Sequence, residues 1–391
     1  MSLTMDQCIF ISAGEYSGDL LAADLVRAFK KINPRIHFFG ITGPTMLEAG
    51  VQSIASIDEL SVMGILEVAK RLCDIKLMES RILGWIDRMN PLCVILVDAP
   101  GFHLPLAEKL KGRQVAVYQY VAPKVWAWGA GRVAALKDNF HRILGILPFE
   151  EDFFLAHGVN YTYVGSPHWD RMSKISLLPA DLGLLKTKKI VAFLPGSRMS
   201  EINRILPEML KIRDGIQKLR SDIQFVIPLA PSLSWESIRS LLPDAAQVSR
   251  HEALHLGRLV SGFIWLNGSS LELLKVADAA VVASGTATLE CALSRTPMTV
   301  VYKMNPLTFS VAKRMVKLKW VSLVNLLMNE TVVNEYLQDL DPNVIAQEIC
   351  DLLDDTPQRK MMIQKFDALA ERLLPEAAQR AASMILSDLE I

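Results

Sequence analysis

The feature that most constrains the fold is a pattern that starts twice: a short β-rich run, a turn of small residues, and a helical segment. In the first half, Cys8–Ser12 is followed by the turn Ala13-Gly14-Glu15 and a helical pattern near Gly18–Lys31. In the second half, Ile190–Leu194 is followed by "PGSR" and a helical pattern from about Ser200 to Leu219. Such alternation predicts a parallel sheet covered by helices on both faces.

Further short apolar runs predict the remaining strands. These runs are Ile36–Gly40, Cys93–Val97, Gln114–Tyr118, Ile143–Ile146, Tyr161–Val164, Gln224–Ile227, Gly262–Leu266, Ala279–Ala283 and Met298–Tyr302. We therefore expect an α/β protein in which two Rossmann-like, doubly wound domains, residues 1–170 and 189–391, face a central cleft. A polar linker zone is expected at 171–188. The last helices either remain with the second domain or pack back on the first domain. In such sheets, ligands bind at the carboxyl ends of the strands.

The composition argues against several classes of protein. Lys and Arg number 42, as do Asp and Glu, so the basic excess of a nucleic-acid-binding protein is missing. The cysteines form no CxxC pair and no metal-ligand spacing occurs, so we expect reduced thiols, no metal and no cofactor. No signal-peptide pattern opens the chain, and no apolar run reaches about 18 residues. These features predict a soluble or peripheral protein of the cytosol.

A single carboxylate, Asp98, stands where the predicted strand Cys93–Val97 ends, in the sequence "VDAPGFHLP". Asp98 either caps the turn that follows or carries out chemistry at the strand tip. A carboxylate in such a place is able to act as a general base when a substrate hydroxyl comes within hydrogen-bonding reach.

The stretch "ASGTATLE" follows another predicted strand and suits a phosphate or diphosphate. Ser284, Gly285 and Thr286 would begin a helix, whose first N–H groups and dipole attract an anion. Glu290, further along this helix, could accept hydrogen bonds from ribose hydroxyls. The alternative is a capped core helix with small residues for packing.

Two further turns have the same strand–turn–helix context. In "LPGSR", Ser197 is able to cap the next helix and Arg198 to bind phosphate oxygens, unless Arg198 pairs with a surface carboxylate. In "SAGEYSGD", Glu15 stands at the strand tip, and Ser17 either caps the helix or contacts a ligand. Asp19 has the same two options.

Three apolar stretches are candidates for contact with a membrane. The loop "YVAPKVWAWGAGR" carries Trp126 and Trp128, which shape a sugar pocket, lie at a lipid interface or pack beneath the loop. The helical pattern Leu60–Ile86 includes Met63. The stretch Lys303–Asn329 has no acidic residue and includes the candidate membrane-facing residues Lys313, Arg314, Lys317 and Trp320. Basic amphipathic stretches suit an anionic lipid surface, although packing at a domain interface would produce the same pattern.

Taken together, the motifs resemble those of the lipid-A-disaccharide synthase family along nearly the whole chain. The matching motifs are "AGEYSGD", "ELSVMGILEV", "VDAPGF", "YVAPKVWAW", "LPFE", "LPGSR", "ASGTATLE", "YKMNPLTF" and "WVSLVNLL". The resemblance implies a two-domain inverting glycosyltransferase of the GT-B type. It would join UDP-2,3-diacylglucosamine to 2,3-diacylglucosamine 1-phosphate (lipid X) through a β-1′,6 bond and release UDP. The resemblance also places the protein peripherally on the inner face of the bacterial inner membrane, and a homo-oligomer stays open.

The same resemblance implies roles for individual residues. Asp98 matches the family's essential aspartate and is the candidate general base. Asn325 matches a family asparagine expected at the cleft, and Glu15 and Ser17 would face the acceptor or the donor sugar. Ser197, Arg198 and the helix start at Ser284–Thr286 would bind the diphosphate, with Glu290 on the ribose.

Two short segments depart from the family pattern. The family often has Pro-Asp-Phe-Asn after the aspartate, where this chain has Gly101 and His103. It usually has Gly-His-Pro at the linker, where this chain has Ser166, and its histidine, His168, stands two positions later. These changes leave open a weakly active, divergent paralogue. A UDP-sugar epimerase of the same fold and a non-catalytic lipid or nucleotide binder are further alternatives.

Overall fold

A computed structural model of the chain describes residues 7–61, 68–127, 130–231, 233–242, 257–260, 262–305 and 319–391. The chain forms two compact units. The first consists of residues Met1–Pro167 together with Leu374–Ile391, and the second is His168–Leu373.

The first unit contains a seven-stranded parallel sheet in the order β3-β2-β1-β4-β5-β6-β7. Its strands are β1 Cys8–Ala13, β2 His37–Thr42, β3 Gln52–Ser56, β4 Cys93–Val97, β5 Ala116–Tyr120, β6 Arg142–Gly145 and β7 Tyr161–Tyr163. Its helices are α1 Tyr16–Ile32, α2 Pro44–Glu48, α3 Ile57–Ser61, α4 Val68–Met89, α5 Pro100–Leu110, α6 Val133–Asn139 and α7 Glu150–Ala156, and α8 Pro167–Met172 leads out of it.

The second unit contains a seven-stranded sheet in the order β10-β11-β9-β8-β12-β13-β14, parallel except for the pair β10 and β11. Its strands are β8 Lys189–Leu194, β9 Ile223–Leu229, β10 Gly257–Val260, β11 Phe263–Asn267, β12 Ala279–Ala283, β13 Met298–Tyr302 and β14 Glu335–Leu337. Its described helices are α9 Met199–Leu219, α10 Trp235–Arg239, α11 Ser270–Val276, α12 Thr286–Leu293, α13 Leu323–Met328, α14 Pro342–Leu353 and α15 Pro357–Glu371.

The central strands form the cores of the two units because they are apolar along their whole length. All five residues of β4 are 0% exposed, and so are four of the five in β12. Burying one large aliphatic side chain contributes about 1.5–3 kcal/mol. A strand covered on both faces reads as a continuous apolar run, which is why these strands were predictable. The α/β class with two Rossmann-like sheets is confirmed.

In both sheets the chain reverses its direction of travel at one point. From β1 it adds β2 and β3 on one side, then crosses to β4 on the other side of β1. From β8 it adds β9 on one side, and later crosses to β12 on the other side of β8. Ligands of such sheets bind at the carboxyl ends of the strands beside the switch point. This rule selects the ends of β1 and β4 in the first unit, and of β8 and β12 in the second.

The last helix, α16 Ala377–Asp388, belongs to the first unit, where it packs against α1. Arg142 at the start of β6 makes two hydrogen bonds to Asp388, of 2.9 and 3.0 Å. The chain arrives close to Gly165, whose φ is 111° and where a Cβ would lie 2.6 Å from the Leu374 carbonyl oxygen. A glycine is therefore required where the returning segment passes.

The stretch 171–188, predicted as a linker zone, lies within the second unit. Leu182 and Leu184 are buried there. The backbone N–H and carbonyl of Leu185 both bond to the Gln224 side chain, each at 2.9 Å. The stretch is thus packed against the sheet of the second unit.

Candidate active site

At the switch point of the first sheet, the structure brings the turns after β1 and β4 into contact. A Cβ at Gly14 would lie 2.3 Å from the Cβ of Ala99, so only glycine allows this approach. Glu15 is the N-cap residue of α1 and is exposed, as is Ser17 in its first turn. Two of the predicted residues, Glu15 and Asp98, therefore stand on adjoining turns.

Asp98 has a strained backbone and a half-buried side chain. Its φ is 53°, and Ala99 follows at φ 46° and ψ 54°, so two successive non-glycine residues are left-handed. Each such residue costs of the order of 1 kcal/mol and persists only where its surroundings hold it. The Asp98 N–H donates to the Tyr120 carbonyl at 2.9 Å. This geometry turns the chain sharply at the strand tip, just before α5 begins.

His103 lies beneath this turn and not on the surface of a substrate site. It is 0% exposed, with Nδ1 2.7 Å from the Asp98 carbonyl oxygen and Nε2 2.9 Å from Ser12 Oγ. Burial lowers its pKa from 6.5 to about 4, although the bond to the carbonyl opposes this. His103 is therefore not placed to contact an acceptor directly. Gly101, by contrast, is exposed on α5, and a Cβ there would meet no described atom within 4 Å.

Asp19 caps a helix other than its own. Its carboxylate is 1% exposed and accepts the N–H groups of Gly43, Thr45 and Met46 at 2.9, 2.9 and 3.0 Å. These N–H groups belong to the start of α2. Asp19 thus joins α1 to the turn after β2, which leaves Glu15 and Ser17 as the exposed polar residues of this motif.

In the second unit, the turn after β8 presents Ser197 and Arg198. Both are exposed, and Arg198 is the N-cap residue of α9. The Arg198 side chain makes no capping hydrogen bond, and Ser197 stands one position before this N-cap residue. The Arg198 guanidinium lies 3.9 Å from Glu201, an exposed pair of the kind that contributes about 0–1 kcal/mol. The Arg198 side chain is 60% exposed.

The turn after β12 opens onto the N-terminus of α12. Gly285 is the N-cap residue, Thr286 is exposed in the first turn, and a Cβ at Gly285 would meet no described atom within 4 Å. The Ser284 hydroxyl donates to the Val321 carbonyl at 2.9 Å. Thr288 is buried and donates to the Gly285 carbonyl at 2.8 Å. Ser284 and Thr288 therefore shape the turn. The first backbone N–H groups of α12 have no acceptor within the helix, and a helix start of this kind is able to bind an anion.

Glu290 has a partner that sequence reasoning missed. Its Oε1 lies 3.1 Å from Nδ1 of His168, and the two side chains are 17% and 10% exposed. His168 is the histidine displaced by two positions in this chain, at the first residue of the second unit. It fixes the direction of the carboxylate that was predicted to bind ribose. Nothing in the local sequence links residues 122 positions apart.

Asn325 is a structural residue, which corrects its expected place at the cleft. It is 0% exposed. Its amide N–H groups donate to the Val333 carbonyl and to Glu335, at 2.9 and 2.8 Å. Its oxygen accepts the N–H groups of Val332 and Val333 at 2.8 and 3.0 Å. A side-chain amide has two donors and two acceptor positions. All four are used inside the protein.

Of the residues expected to face a membrane, Met63, Lys313, Arg314 and Lys317 lie outside the described residues. Trp320 is 9% exposed, and its indole N–H donates to Thr331 Oγ1 at 3.0 Å. A side chain packed in this way does not contact lipid, so Trp320 is removed from that set. None of the helices in the described ranges is both long and apolar enough to span a bilayer.

Trp126 and Glu150 join the tryptophan loop to the motif "LPFE". The Trp126 indole donates to Glu150 Oε1 at 2.8 Å, and Tyr161 donates to Oε2 at 3.0 Å. Burial raises the pKa of Glu150 from 4.5 to about 7, while hydrogen bonds from these two side chains oppose the increase. For Trp126, packing beneath the loop is thus the correct alternative. Trp128 lies outside the described residues.

The thiols of Cys8, Cys93, Cys291 and Cys350 are free and buried. Burial raises the pKa of the Cys93 and Cys291 thiols. In the described part of the chain, no group of three or more His, Cys, Asp or Glu side chains is arranged to hold a metal ion.

The fold is shared with proteins whose structures contain UDP or UDP-GlcNAc. S. aureus MnaA in a co-structure with UDP has a TM-score of 0.63 and 13% identity, covering 98% of this chain and 97% of that one. The UDP-GlcNAc 2-epimerase of Methanocaldococcus jannaschii, in complex with UDP-GlcNAc and UDP, has a TM-score of 0.57 and 10% identity, covering 97% and 99%. At such identities the likeness concerns the fold alone.

Similarity in sequence is far more specific. A family model described as lipid-A-disaccharide synthetase matches residues 9–386. The lipid-A-disaccharide synthase of Myxococcus xanthus is 39% identical over 383 residues, covering 97% of this chain and 96% of that protein. The enzyme of Syntrophus aciditrophicus is 36% identical over 384 residues, covering 97% of each. A family model that matches almost the whole chain and relatives at 36–39% identity show that the chain belongs to the lipid-A-disaccharide synthase family.

Proposed function

We propose that this protein joins UDP-2,3-diacylglucosamine to lipid X through a β-1′,6 bond and releases UDP. The observation that carries the proposal is the coincidence of the family's motifs with the ligand-binding ends of both sheets. Asp98 and Glu15 flank the switch point of the first sheet, and Arg198 and Gly285 flank that of the second. The first unit would supply the acceptor site and the second the UDP site.

Asp98 is proposed as the general base. Inversion at the anomeric carbon requires direct attack by the acceptor 6-hydroxyl, and a carboxylate within hydrogen-bonding distance would take its proton. The half-buried position supports this role, because the side chain is reachable while its backbone is held by Tyr120 of β5 and by His103 of α5. Glu15 and Ser17, exposed on the adjoining turn, would bind sugar hydroxyls.

The second unit is proposed to stabilise the departing UDP. Charge develops on the β-phosphate as the glycosidic bond breaks. Preoriented N–H groups at the start of α12, together with the exposed Ser197 and Arg198, would stabilise this charge. Glu290, oriented by His168, would accept hydrogen bonds from the ribose hydroxyls.

The protein is further proposed to act at the membrane surface, because both substrates carry acyl chains. The support is the absence of acidic residues from Lys303–Asn329 and its basic residues Lys313, Arg314 and Lys317. Neutralising these three cations should weaken sedimentation with vesicles of anionic phospholipid. Unchanged sedimentation would contradict a membrane role for this stretch.

The central experiment is a product assay with the purified protein, both lipid substrates, and the variant Asp98→Asn. We expect disaccharide and UDP from the natural chain, no detectable turnover by the variant, and retained UDP binding by both. Glu108→Gln, which removes an exposed carboxylate from α5, is the matched control. Near-normal turnover by Asp98→Asn would show that Asp98 is not the base.

The same assay distinguishes the alternatives. An epimerase would convert UDP-N-acetylglucosamine to its 2-epimer without acceptor, and we expect no such product. The relatives at 36–39% identity do not favour the epimerase, whose solved structures share only the fold. A weakly active paralogue would bind UDP and yield little product from both substrates.

A further inference from the structure

Beneath the Asp98 turn, buried polar groups form one continuous hydrogen-bonded chain. Ser12 bonds to His103, and His103 bonds to the Asp98 carbonyl oxygen, at 2.9 and 2.7 Å. Gln119 Nε2 donates to the same oxygen and to the Val121 carbonyl, both at 3.1 Å. The side chains of Ser12, His103 and Gln119 are 0% exposed. We call this set the buried polar chain; it connects the ends of β1, β4 and β5.

The direction of each bond in the buried polar chain is fixed. A carbonyl oxygen only accepts, so His103 Nδ1 carries a proton. Because burial lowers the pKa of His103 to about 4, the ring is neutral near pH 7, and Nε2 accepts from the Ser12 hydroxyl. Gln119 faces two carbonyl oxygens, so its NH₂ group points to them. Its Oε1 finds no partner among the described residues.

The carbonyl groups held by the buried polar chain belong to strained residues. Asp98 and Ala99 have φ values of 53° and 46°, and Val121 has φ 71°. A positive φ is uncommon for any non-glycine residue and a genuine outlier for a β-branched one. Such conformations persist where several interactions with neighbouring groups hold them, and they cluster at active sites. His103 and Gln119 supply this constraint at the Asp98–Ala99 peptide, and Gln119 also supplies it at the Val121 carbonyl.

We propose that His103 and Gln119 are positioning residues that set the direction of the Asp98 carboxylate by holding its carbonyl oxygen. Rotation of the Asp98 peptide would redirect its Cα–Cβ bond and so displace the carboxylate. The inference rests on the proposed function, in which Asp98 is the general base. A displacement of about 1 Å at a reacting group can lower the reaction rate on the order of 100-fold.

Two conservative variants separate positioning from a general contribution to stability. His103→Asn places its amide N–H near the Nδ1 position, so it keeps the bond to Asp98 and loses Ser12. His103→Gln reaches the Nε2 position, so it keeps Ser12 and loses Asp98. Both side chains are polar and smaller than or similar to histidine. A purely structural role predicts that the two variants lose similar stability and retain a similar kcat.

The experiment measures kcat and KM for both substrates, UDP affinity and thermal unfolding in the two variants and in Asp98→Asn. We expect His103→Asn to stay within about threefold of the natural kcat, and His103→Gln to fall roughly 10- to 100-fold with KM and UDP affinity little changed. Nitrogen NMR of ring-labelled histidine should show the neutral Nδ1–H tautomer of His103 at pH 7.

The outcomes distinguish this inference from the proposed function. If Asp98→Asn is inactive but both His103 variants have the same kcat, the positioning role is wrong while the base assignment stands. If Asp98→Asn keeps near-normal turnover, both are wrong. An Nε2–H tautomer at pH 7 would also overturn the inference, because Nδ1 would then have no proton to donate to the Asp98 carbonyl.

Discussion

Replacing Glu150 by glutamine should make the first unit more stable at pH 8, relative to the natural chain, than at pH 5. Glu150 is buried at the start of α7, and burial raises its pKa from 4.5 to about 7. The bonds from Trp126 and Tyr161 only partly offset the loss of hydration. A neutral amide of the same shape would avoid burying a charge while leaving an oxygen for the indole to bond.

The sign and size follow from proton linkage. Between pH 4.5 and about 7 the unfolded chain releases the Glu150 proton while the folded chain retains it, so stability falls as pH rises through this window. At about 1.4 kcal/mol per pH unit, the whole effect is about 3 kcal/mol. About 2.5 kcal/mol of it lies between pH 5 and pH 8.

Urea unfolding of the two proteins at pH 5 and pH 8, followed by circular dichroism, measures this effect. The compared quantity is the difference in unfolding free energy between Glu150→Gln and the natural chain, so other titrating groups cancel. Asp152→Asn removes an exposed carboxylate from the same helix turn and controls for the helix dipole. A difference that is equal at both pH values, or that favours the natural chain at pH 8, would refute the reasoning.

Substitutions at three further positions test structural assignments. Asp19→Ala should lower stability by about 4 kcal/mol or more, because three N–H groups, of which two are buried, lose a charged acceptor. Asp19→Asn, which keeps one oxygen, should cost less, and equal losses in urea unfolding would contradict this. Arg142→Ala should lower the unfolding free energy by about 2 kcal/mol and speed proteolysis of the last helix, because Asp388 is left half-buried without its bidentate partner. An unchanged digestion pattern would show that Arg142 does not hold this helix in place. Asn325→Ala should lower the melting temperature with little change in KM, because its hydrogen bonds are internal. A raised KM at unchanged stability would instead indicate that Asn325 contacts the substrate.

Local patterns were sufficient to predict the strands and the turns that carry the site. The predicted strands are all present, with bounds displaced by at most two residues. The sequences of buried parallel strands are uninterrupted apolar runs. For this reason Cys93–Val97 and Ala279–Ala283 were predicted with the observed bounds. The missed strands, β3, β10 and β14, lie at sheet edges. Edge strands are short and less apolar, which weakens the pattern.

Pairings between distant residues were not predictable, because they depend on packing and not on local periodicity. Ser12 and His103 are 91 positions apart, and His168 and Glu290 are 122 apart. Family resemblance suggested a cleft residue at Asn325, but the resemblance carries no information about which way a side chain faces. For Asp98 and Arg198, by contrast, the position after a predicted strand was enough to place the residue at the carboxyl ends of the strands of its sheet.

The first unit is assembled from two stretches of chain separated by the whole of the second unit. On the ribosome, α1 emerges early, but the helix that covers it is made only after residue 373. Since domains fold as units during synthesis, the second unit is able to fold while the first still exposes the α1 face that α16 will bury. Early termination or proteolysis near residue 374 would therefore leave the second unit complete and the first one open.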